Sequence, residues 1–290
     1  MKKNVLGMHK AHSPHMVGDG LPVRNFFSYG DLGRSELSPF LMLDYGAPVQ
    51  FPPTKQELGV GMHPHRGFET VTLAYQGGLQ HRDTAGNHGE IGPGDVQWMT
   101  AGSGVLHEEL HSKSFRENGG TLQMAQLWVN LPAELKLTAP KYQTLLRDDI
   151  PVINLDAGKA TLRVVAGNFG QAKGPAETFT PVNLYDVKLK ANGTVELDLP
   201  AGYTTALVVL DGSANVNGAD AVEGPILVVL DRKGTSVQIG TESGAHILVL
   251  NGEPIDEPVV GYGPFVMNSR EQILEAVADF QNGKFGKVLA

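Results

Sequence analysis

The sequence predicts an all-β protein made of two tandem β-barrels, with a helix near the C-terminus. Short apolar segments alternate with glycine-rich turns along the whole chain, and the 290 residues include 36 glycines and 18 prolines. Such a turn-rich composition favours many short strands over long helices. The same strand rhythm occurs in both halves, and the length is enough for two medium domains. We therefore expect one barrel in residues 1–137 and a second in residues 138–290.

In the first half, four segments have the length and composition of strands: residues 70–75, 89–91, 96–99 and 124–130. Gly77-Gly78 follows the first segment, and Leu131-Pro132 follows the last one. Glycine and proline at these points are typical of turns between strands. The first half therefore has the pattern of a barrel built from short antiparallel strands.

The second half repeats this style, with strands expected at residues 206–210, 214–218, 224–230, 235–239 and 245–250. Asp211-Gly212 lies between the first two segments and predicts a hairpin turn. His246 is the one histidine of this half, and we interpret it as structural. The second barrel is therefore expected to lack metal ligands.

One helix is expected over about residues 269–281. Ser269 followed by Gln272 has the spacing of a capping box at a helix N-terminus. Apolar residues then recur at helical spacing, at Ile273, Leu274, Val277 and Phe280. Asn282-Gly283 predicts the end of the helix. A helix of this pattern is expected to pack on a barrel.

Composition excludes several classes of function. The chain has no cysteine, which excludes disulfides, thiolate metal sites and cysteine nucleophiles. Its formal charge of −8 gives no basic surface for direct nucleic-acid binding. No segment reaches the roughly 18 apolar residues that span a bilayer, and the N-terminus does not resemble a signal peptide. We expect a cytoplasmic protein that does not bind membranes or nucleic acid directly.

Two short histidine patterns predict a metal site. His63 and His65 form a His-x-His pair, and His107 is followed by Glu109 two residues later. Strand side chains alternate, so each pair faces one side of its strand while Glu108 faces the other. Three imidazoles and one carboxylate inside a barrel form a mixed nitrogen and oxygen site for a divalent transition metal.

The carboxylate of this site has two candidates. The alternation of side chains along a strand turns both Glu69 and Glu109 inward. A bulge near Gly67 would reverse the direction of Glu69. The two-residue spacing from His107 favours Glu109 as the ligand, which leaves Glu69 a supporting role. The role of Glu69 stays open at this stage.

The remaining histidines are assigned no metal. We expect His81 and His88 to be loop residues and His111 to lie beyond the site. The N-terminal histidines at positions 9, 12 and 15 form a loose cluster without strand spacing.

The histidine patterns approximate the two motifs of cupins. The first motif, His-x-His followed by Glu and Gly, is approximated by His63, His65, Glu69 and Gly77. Residues from Gly94 to His107 approximate the second motif, with Thr100 in place of its proline and two extra residues before the histidine. Glu109 stands where cupins usually have a later Asn.

With these departures from the usual cupin motifs, the sequence resembles the pirin family of the cupin superfamily. The resemblance covers residues 63–71, 94–102 and 105–109, and again residues 252–255 and 263–268. It implies two tandem cupin barrels, a bicupin, with a metal only in the N-terminal barrel. The ligands that it implies are His63, His65, His107 and Glu109.

The resemblance also implies an activity. Bacterial pirin-like proteins resemble quercetin 2,3-dioxygenases (quercetinases), oxidoreductases that open the central ring of a flavonol with O2 and release carbon monoxide. Fe(II) is the expected metal of such a site, and Ni, Mn, Co, Cu or Zn also fit the same ligands. Glu109 is then the catalytic residue, a ligand that accepts the proton of the flavonol 3-hydroxyl. No other cofactor-binding residue is expected.

Two alternatives use the same four ligands. Animal pirins resemble iron-dependent, redox-sensing transcription cofactors, which act through a regulatory protein partner. A dioxygenase needs an open apolar pocket above the metal, whereas a sensor needs none. In the third interpretation, the metal only stabilises the barrel.

Overall fold

The computed structural model describes residues 1–31 and 36–287, which form two compact units. The first unit contains residues 13–31, 40–147 and 255–287, and the second contains residues 1–12, 36–39 and 148–254. Each unit is therefore discontinuous in sequence. This division differs from the contiguous boundary at residues 137/138 that the sequence suggests.

The strands, in chain order, are β1 (Val5–Lys10), β2 (His15–Val17), β3 (Leu21–Phe27), β4 (Phe40–Phe51), β5 (Gly59–His65), β6 (Phe68–Gln76), β7 (Leu79–Asp83), β8 (His88–Ile91), β9 (Val96–Thr100), β10 (Val105–His111), β11 (Gly120–Asn130), β12 (Lys141–Leu145), β13 (Val152–Leu155), β14 (Ala160–Ala166), β15 (Asn168–Phe169), β16 (Ala172–Lys173), β17 (Val182–Leu189), β18 (Thr194–Asp198), β19 (Thr204–Val216), β20 (Val222–Glu223), β21 (Ile226–Leu230), β22 (Ser236–Gly240), β23 (Ala245–Gly252), β24 (Val260–Tyr262) and β25 (Phe265–Met267). The helices are α1 (Lys113–Asn118) and α2 (Arg270–Gln281), and 3-10 turns cover Ala133–Leu135, Arg147–Asp149 and Asp156–Gly158. The predicted all-β class is confirmed.

Strand pairing explains the discontinuous units. The first strand, β1, pairs with β21 of the second unit, although the residues that follow it belong to the first unit. Strand β12 pairs with β9, which extends the first unit past the expected boundary. Hydrogen-bond ladders of this kind connect residues far apart in sequence, and strand rhythm alone does not identify the partners.

Besides a small two-stranded sheet of β24 and β25, two large antiparallel sheets build the first unit. One has seven strands in the order β12-β9-β6-β11-β4-β3-β2, and the other has four in the order β5-β10-β7-β8. Apolar side chains from both sheets form one of its cores: Leu21, Val23, Ala74, Leu79, Ile91, Leu122 and Met124, with Phe115 of α1. Around His107 and Glu109 of β10, by contrast, many of the buried side chains are polar.

The second unit contains a sheet of ten strands, with the path β1-β21-β19-β23-β17-β14-β13 and β18, β20 and β22 attached beside it, and a separate two-stranded sheet of β15 and β16. Its core is almost wholly aliphatic, and residues such as Leu207, Val228 and Val249 are fully buried. Apart from Tyr185, the described residues of this core have hydrocarbon side chains, which do not ligate metals.

One turn predicted in this unit is wrong. Strand β19 continues through Asp211 and Gly212, which pair with His246 and Ala245 on β23. The register shifts between Val209 and Asp211, and Gly212 has a φ of +74°. The extra residue of this bulge is Leu210, and Asp211-Gly212 continues the strand instead of forming a hairpin turn. Gly212 adopts a left-handed conformation that glycine tolerates.

The helix expected at residues 269–281 is confirmed as α2. The Ser269 hydroxyl accepts a hydrogen bond from Gln272 N, and the Gln272 side chain accepts one from Ser269 N, which forms the capping box. Ile273 and Ala276 pack into a small core with aromatic residues of the same unit, while Leu274 is exposed. No helix of residues 1–31 and 36–287 is long and apolar enough to cross a membrane.

Candidate metal centre

Three histidines converge inside the first unit. One ring nitrogen from each of His63, His65 and His107 lies within 4.8 Å of the others. His107 on β10 stands directly opposite His63 on β5 in the antiparallel ladder, and their ring centroids are 4.2 Å apart. His65, two residues further along β5, places its ring centroid 4.9 Å from that of His107. The side-chain alternation that the sequence predicts accounts for this convergence.

The hydrogen bonds of His63 and His65 fix their tautomers. The Nδ1 atom of His63 is 2.8 Å from the carbonyl oxygen of Gly61, and that of His65 is 3.4 Å from the carbonyl oxygen of Pro264. A carbonyl oxygen only accepts, so each Nδ1 carries the hydrogen. Each Nε2 then keeps a free lone pair, which is the form that ligates a metal.

His107 leaves a buried nitrogen without a partner. Its side chain is fully buried, and Nε2 has no hydrogen-bond partner among the described residues. Burial, with a smaller contribution from His63 and His65, holds the pKa of His107 well below its usual range. A buried polar atom of this kind normally needs a ligand, and a neutral imidazole nitrogen fits a divalent metal.

Glu109 lies on the same face of β10 as His107 but outside the three-histidine cluster. Its Oε1 accepts hydrogen bonds from Thr72 Oγ1, at 3.0 Å, and from Gln97 Nε2. Its Oε2 accepts one from Gln126 Nε2 at 2.7 Å. The carboxylate thus reaches from one sheet to polar groups of the other. Its predicted role as the fourth ligand stays a prediction.

Glu69 faces the other side of its strand. Gly67, with a φ of +88°, separates β5 from β6 and breaks the parity between His65 and Glu69. On β6, Glu69 and Thr72 have opposite parity, and Thr72 is the residue that contacts Glu109. Glu69 instead accepts a hydrogen bond from Thr100 Oγ1 at 2.8 Å.

Burial raises the pKa of Glu69 to about 7, although the hydrogen bond from Thr100 opposes this. The two glutamates are held by different groups: Thr72, Gln97 and Gln126 donate to Glu109, whereas Thr100 donates to Glu69, with a smaller contribution from Trp98.

Aromatic rings border the cluster. Phe68 and Trp128 stack with centroids 4.2 Å apart, and their centroids lie 5.0 and 5.2 Å from that of His65. His63 is partly exposed, whereas His65 and His107 are buried. Solvent therefore reaches the cluster through His63, and one side of the cluster has an apolar wall.

Comparison with known proteins identifies the family. Residues 22–129 match the model described as Pirin, and residues 184–286 match the model described as the pirin C-terminal cupin domain. A protein of Pseudomonas aeruginosa, named as a proposed quercetin 2,3-dioxygenase, is 54% identical over 283 residues, which is 98% of either chain. The chain belongs to the pirin family.

Solved structures agree with this assignment. The crystal structure of a quercetin 2,3-dioxygenase from Acinetobacter baumannii superposes with a TM-score of 0.97, at 51% identity and with complete coverage of both chains. A bacterial pirin from Escherichia coli, solved in complex with nickel(II), has a TM-score of 0.65 and covers 86% of this chain and 99% of its own. Its 21% identity supports the fold alone. The predicted bicupin fold and pirin resemblance are confirmed.

Within this pirin fold, the expectation that His81 is an exposed loop residue is wrong. His81 lies in β7 with 3% of its surface exposed, opposite Glu109 in the β7–β10 ladder. His88 is exposed in the neighbouring strand β8, and His111 donates from Nε2 to the Gly20 carbonyl at 2.9 Å. His246 lies in the second unit, 2.5 Å from Asp186.

Sequence reasoning missed several polar residues of the pirin site. His81-x-Asp83 has the same two-residue spacing as the ligand pairs, and this spacing could have placed both side chains in the interior. Gln97 and Gln126 carry a weaker signal, an amide next to large apolar residues of the strand, and Tyr142 carries none, because its strand β12 is mostly polar. Their contacts with Glu109 and His81 depend on how the two sheets face each other, which the sequence does not reveal.

Proposed function

We propose that this chain is a metal-dependent dioxygenase that opens flavonols such as quercetin with O2. The main support is the convergence of His63, His65 and His107, with Nε2 lone pairs available, in a chain 51% identical over its length to a quercetin 2,3-dioxygenase. The physiological substrate in this proposal is a flavonol-like small molecule.

The proposed ligands are His63, His65, His107 and Glu109. Three neutral imidazoles and one carboxylate suit Fe(II), our first choice, and also Ni, Mn, Co, Cu or Zn. A bound redox-active metal supplies a path for electrons between an oxygen-ligating substrate and O2. The protein contributes the donor set and its orientation, because the Nδ1 contacts of His63 and His65 aim both Nε2 atoms inward.

In the proposed reaction, Glu109 accepts the proton of the flavonol 3-hydroxyl. Its Oε1 already accepts two hydrogen bonds, from Thr72 and Gln97, whereas Oε2 accepts one, from Gln126. The oxygen with fewer donors keeps the more available lone pair. We therefore assign the proton to Oε2, and ligation of a metal by the same carboxylate would then require Oε1 to lose one of its two present donors.

The aromatic wall has a second proposed role. Phe68 and Trp128 present apolar rings beside His65. Aromatic rings favour contacts with other aromatic rings and exclude water from the reacting groups. A flavonol, which is planar and aromatic, fits this wall better than a small aliphatic acid does.

The experiment loads metal-free protein with Fe(II) without oxygen, then adds quercetin and O2. Loss of the flavonol absorbance should match the O2 consumed and the carbon monoxide released. His107→Ala should lack both metal and turnover, and His246→Ala in the second unit should keep both. Tight iron binding without turnover would contradict the dioxygenase and favour the redox-sensing regulator.

A further inference from the structure

The three candidate ligands differ in what holds their second ring nitrogen. His63 and His65 each place Nδ1 against a backbone carbonyl. His107 instead places Nδ1 3.4 Å from Nδ1 of His81. A carbonyl oxygen defines the tautomer of its partner, but an imidazole nitrogen donates or accepts according to its own tautomer. The tautomer of His107 therefore depends on that of His81.

The other nitrogen of His81 contacts a buried carboxylate. His81 Nε2 lies 3.0 Å from Asp83 Oδ2, and both side chains are almost fully buried. Asp83 Oδ1 accepts hydrogen bonds from the backbone N of Ala85 and Asn87, at 2.9 and 3.0 Å. The carboxylate is thus held by donors in the turn after β7, and it requires a hydrogen on His81 Nε2.

We infer that Asp83 and His81 are positioning residues that fix the tautomer of His107. Asp83 accepts the Nε2 hydrogen of His81, and Nδ1 of His81 then accepts the Nδ1 hydrogen of His107. This arrangement leaves the lone pair of His107 on Nε2, the atom that has no partner in the described structure. We call this hydrogen-bonded chain of Asp83, His81 and His107 the relay. Its role in metal binding rests on the proposed metal site, but the tautomer that it sets on His107 exists without a metal.

The fold supports the relay from two sides. In the regular ladder between β7 and β10, Asp83 stands opposite His107 and His81 stands opposite Glu109, so all four face the interior. The Tyr142 ring stacks on His81 with centroids 4.3 Å apart and planes 13° apart. The imidazole plane of His81 is therefore fixed by a neighbour that is not part of the hydrogen-bond chain.

A relay of this kind affects metal binding in a defined way. Partners of the second ring nitrogen orient a ligating histidine and raise its basicity, and their loss commonly weakens metal binding by roughly 10- to 100-fold. In Asp83→Asn, the new amide can donate to His81 Nε2, which reverses the tautomers of His81 and then of His107. The hydrogen then lies on His107 Nε2 and competes with the metal.

The first measurement is nitrogen NMR on metal-free protein labelled with 15N in histidine, with the His107 signals assigned through His107→Gln. We expect the wild type to carry its hydrogen on Nδ1 of His107 and Asp83→Asn to carry it on Nε2. Nickel(II) is the probe for affinity, measured by competition with a chelator. Asp83→Asn should bind it on the order of 10- to 100-fold more weakly.

A matched pair separates the relay from general packing. Asn and Leu have similar shapes, but in His81→Asn an amide oxygen can replace the Nδ1 acceptor, whereas His81→Leu has none. We expect near wild-type nickel(II) affinity for His81→Asn and a loss for His81→Leu, and this pair also serves if Asp83→Asn does not fold. Asp186→Asn, which alters the buried His246–Asp186 pair of the second unit, is the control with unchanged affinity.

The inference is overturned if metal-free wild type carries the hydrogen on Nε2 of His107. Equal affinity of His81→Asn and His81→Leu for nickel(II) would overturn it too, since a packing role moves both alike. Neither result depends on turnover of quercetin. Failure of the flavonol proposal and failure of the relay are therefore distinguishable.

Discussion

Gln126 on β11 donates from Nε2 to Oε2 of Glu109 on β10 at 2.7 Å, so that an amide of one sheet holds a buried carboxylate of the other. Glu109 is 2% exposed, and it receives its remaining donors from the same facing sheet. A charged acceptor buried at this depth depends on its donors. The contact therefore links the stability of the barrel to the geometry of the site.

Replacing this amide should destabilise the protein. In Gln126→Leu, Oε2 of Glu109 loses its donor, and we expect the free energy of unfolding to fall by about 1–3 kcal/mol. Urea unfolding of the metal-free protein measures the change. Gln50→Leu is the matched control, because its amide donates to Thr121 at 2.7 Å on an exposed surface, and a loss under about 0.5 kcal/mol is expected. Equal losses in the two variants would contradict the argument.

Metal content tests the ligand assignment without reference to catalysis. His63→Ala and His107→Ala each remove one imidazole from a three-histidine cluster, and we expect neither variant to bind nickel(II) stoichiometrically. His246→Ala removes an imidazole from the second unit and should bind like the wild type. Elemental analysis after gel filtration gives the metal-to-protein ratio. Retained stoichiometric metal in either cluster variant would show that the ligand assignment is wrong.

The sequence was sufficient to predict the class of fold and the faces of His63, His65 and His107. Alternation along β5 and β10 depends only on local geometry, so the spacing puts His63 and His65 on one face of β5 and His107 and Glu109 on one face of β10. The expectation that these two strands meet comes from the cupin-like motifs and not from the spacing. The expected boundary at 137/138 depends on long-range pairing. Because β1 and β12 pair with strands distant in sequence, the units could not be delimited from strand rhythm.

The donors to the two glutamates show a second limit. Thr72, Gln97 and Gln126 lie on three strands that meet Glu109 only after the two sheets pack. Period-two patterns assign a face to each of these residues but no partner across the interior. The direction of Glu69 likewise depends on one backbone angle, at Gly67, that composition does not predict.

Stability should depend on pH through Glu69. Burial raises its folded pKa from 4.5 to about 7, so the folded protein keeps a proton that the unfolded chain releases between these values. Rising pH therefore destabilises the native state across this window, by at most roughly 3 kcal/mol. Glu69→Gln removes the titration and can still accept from Thr100. We expect the unfolding free energy of Glu69→Gln minus that of the wild type to be more positive at pH 8 than at pH 4.

Urea unfolding at the two pH values checks this prediction, with metal-free protein in each case. Thr100→Val provides the opposite change, because it removes the hydrogen bond that favours the charged carboxylate. Its loss of stability should be larger at pH 8 than at pH 4. A difference between Glu69→Gln and wild type that is the same at both values would show that Glu69 does not titrate in this window.

Lys136 is a buried ammonium whose contacts join three segments of the first unit. Its Nζ donates to the Gly67 carbonyl at 2.8 Å, to Asn130 Oδ1 at 2.7 Å and to the Val266 carbonyl at 3.0 Å. Lys136→Met leaves three buried acceptors without this donor, and we expect a loss of about 3 kcal/mol in unfolding free energy. Lys113→Met, at an exposed ion pair with a 3.9 Å separation, is the control and should change little.

The pH dependence of this loss is a further check. Burial lowers the folded pKa of Lys136 from 10.5 to about 7, so the folded protein releases a proton in this window that the unfolded chain keeps. The contribution of Lys136 to the free energy of unfolding of the wild type therefore rises as the pH increases from about 7 towards 10.5. The advantage of wild type over Lys136→Met should grow between pH 7 and pH 9 in urea unfolding. A constant or shrinking advantage would contradict a titration of Lys136 in this range.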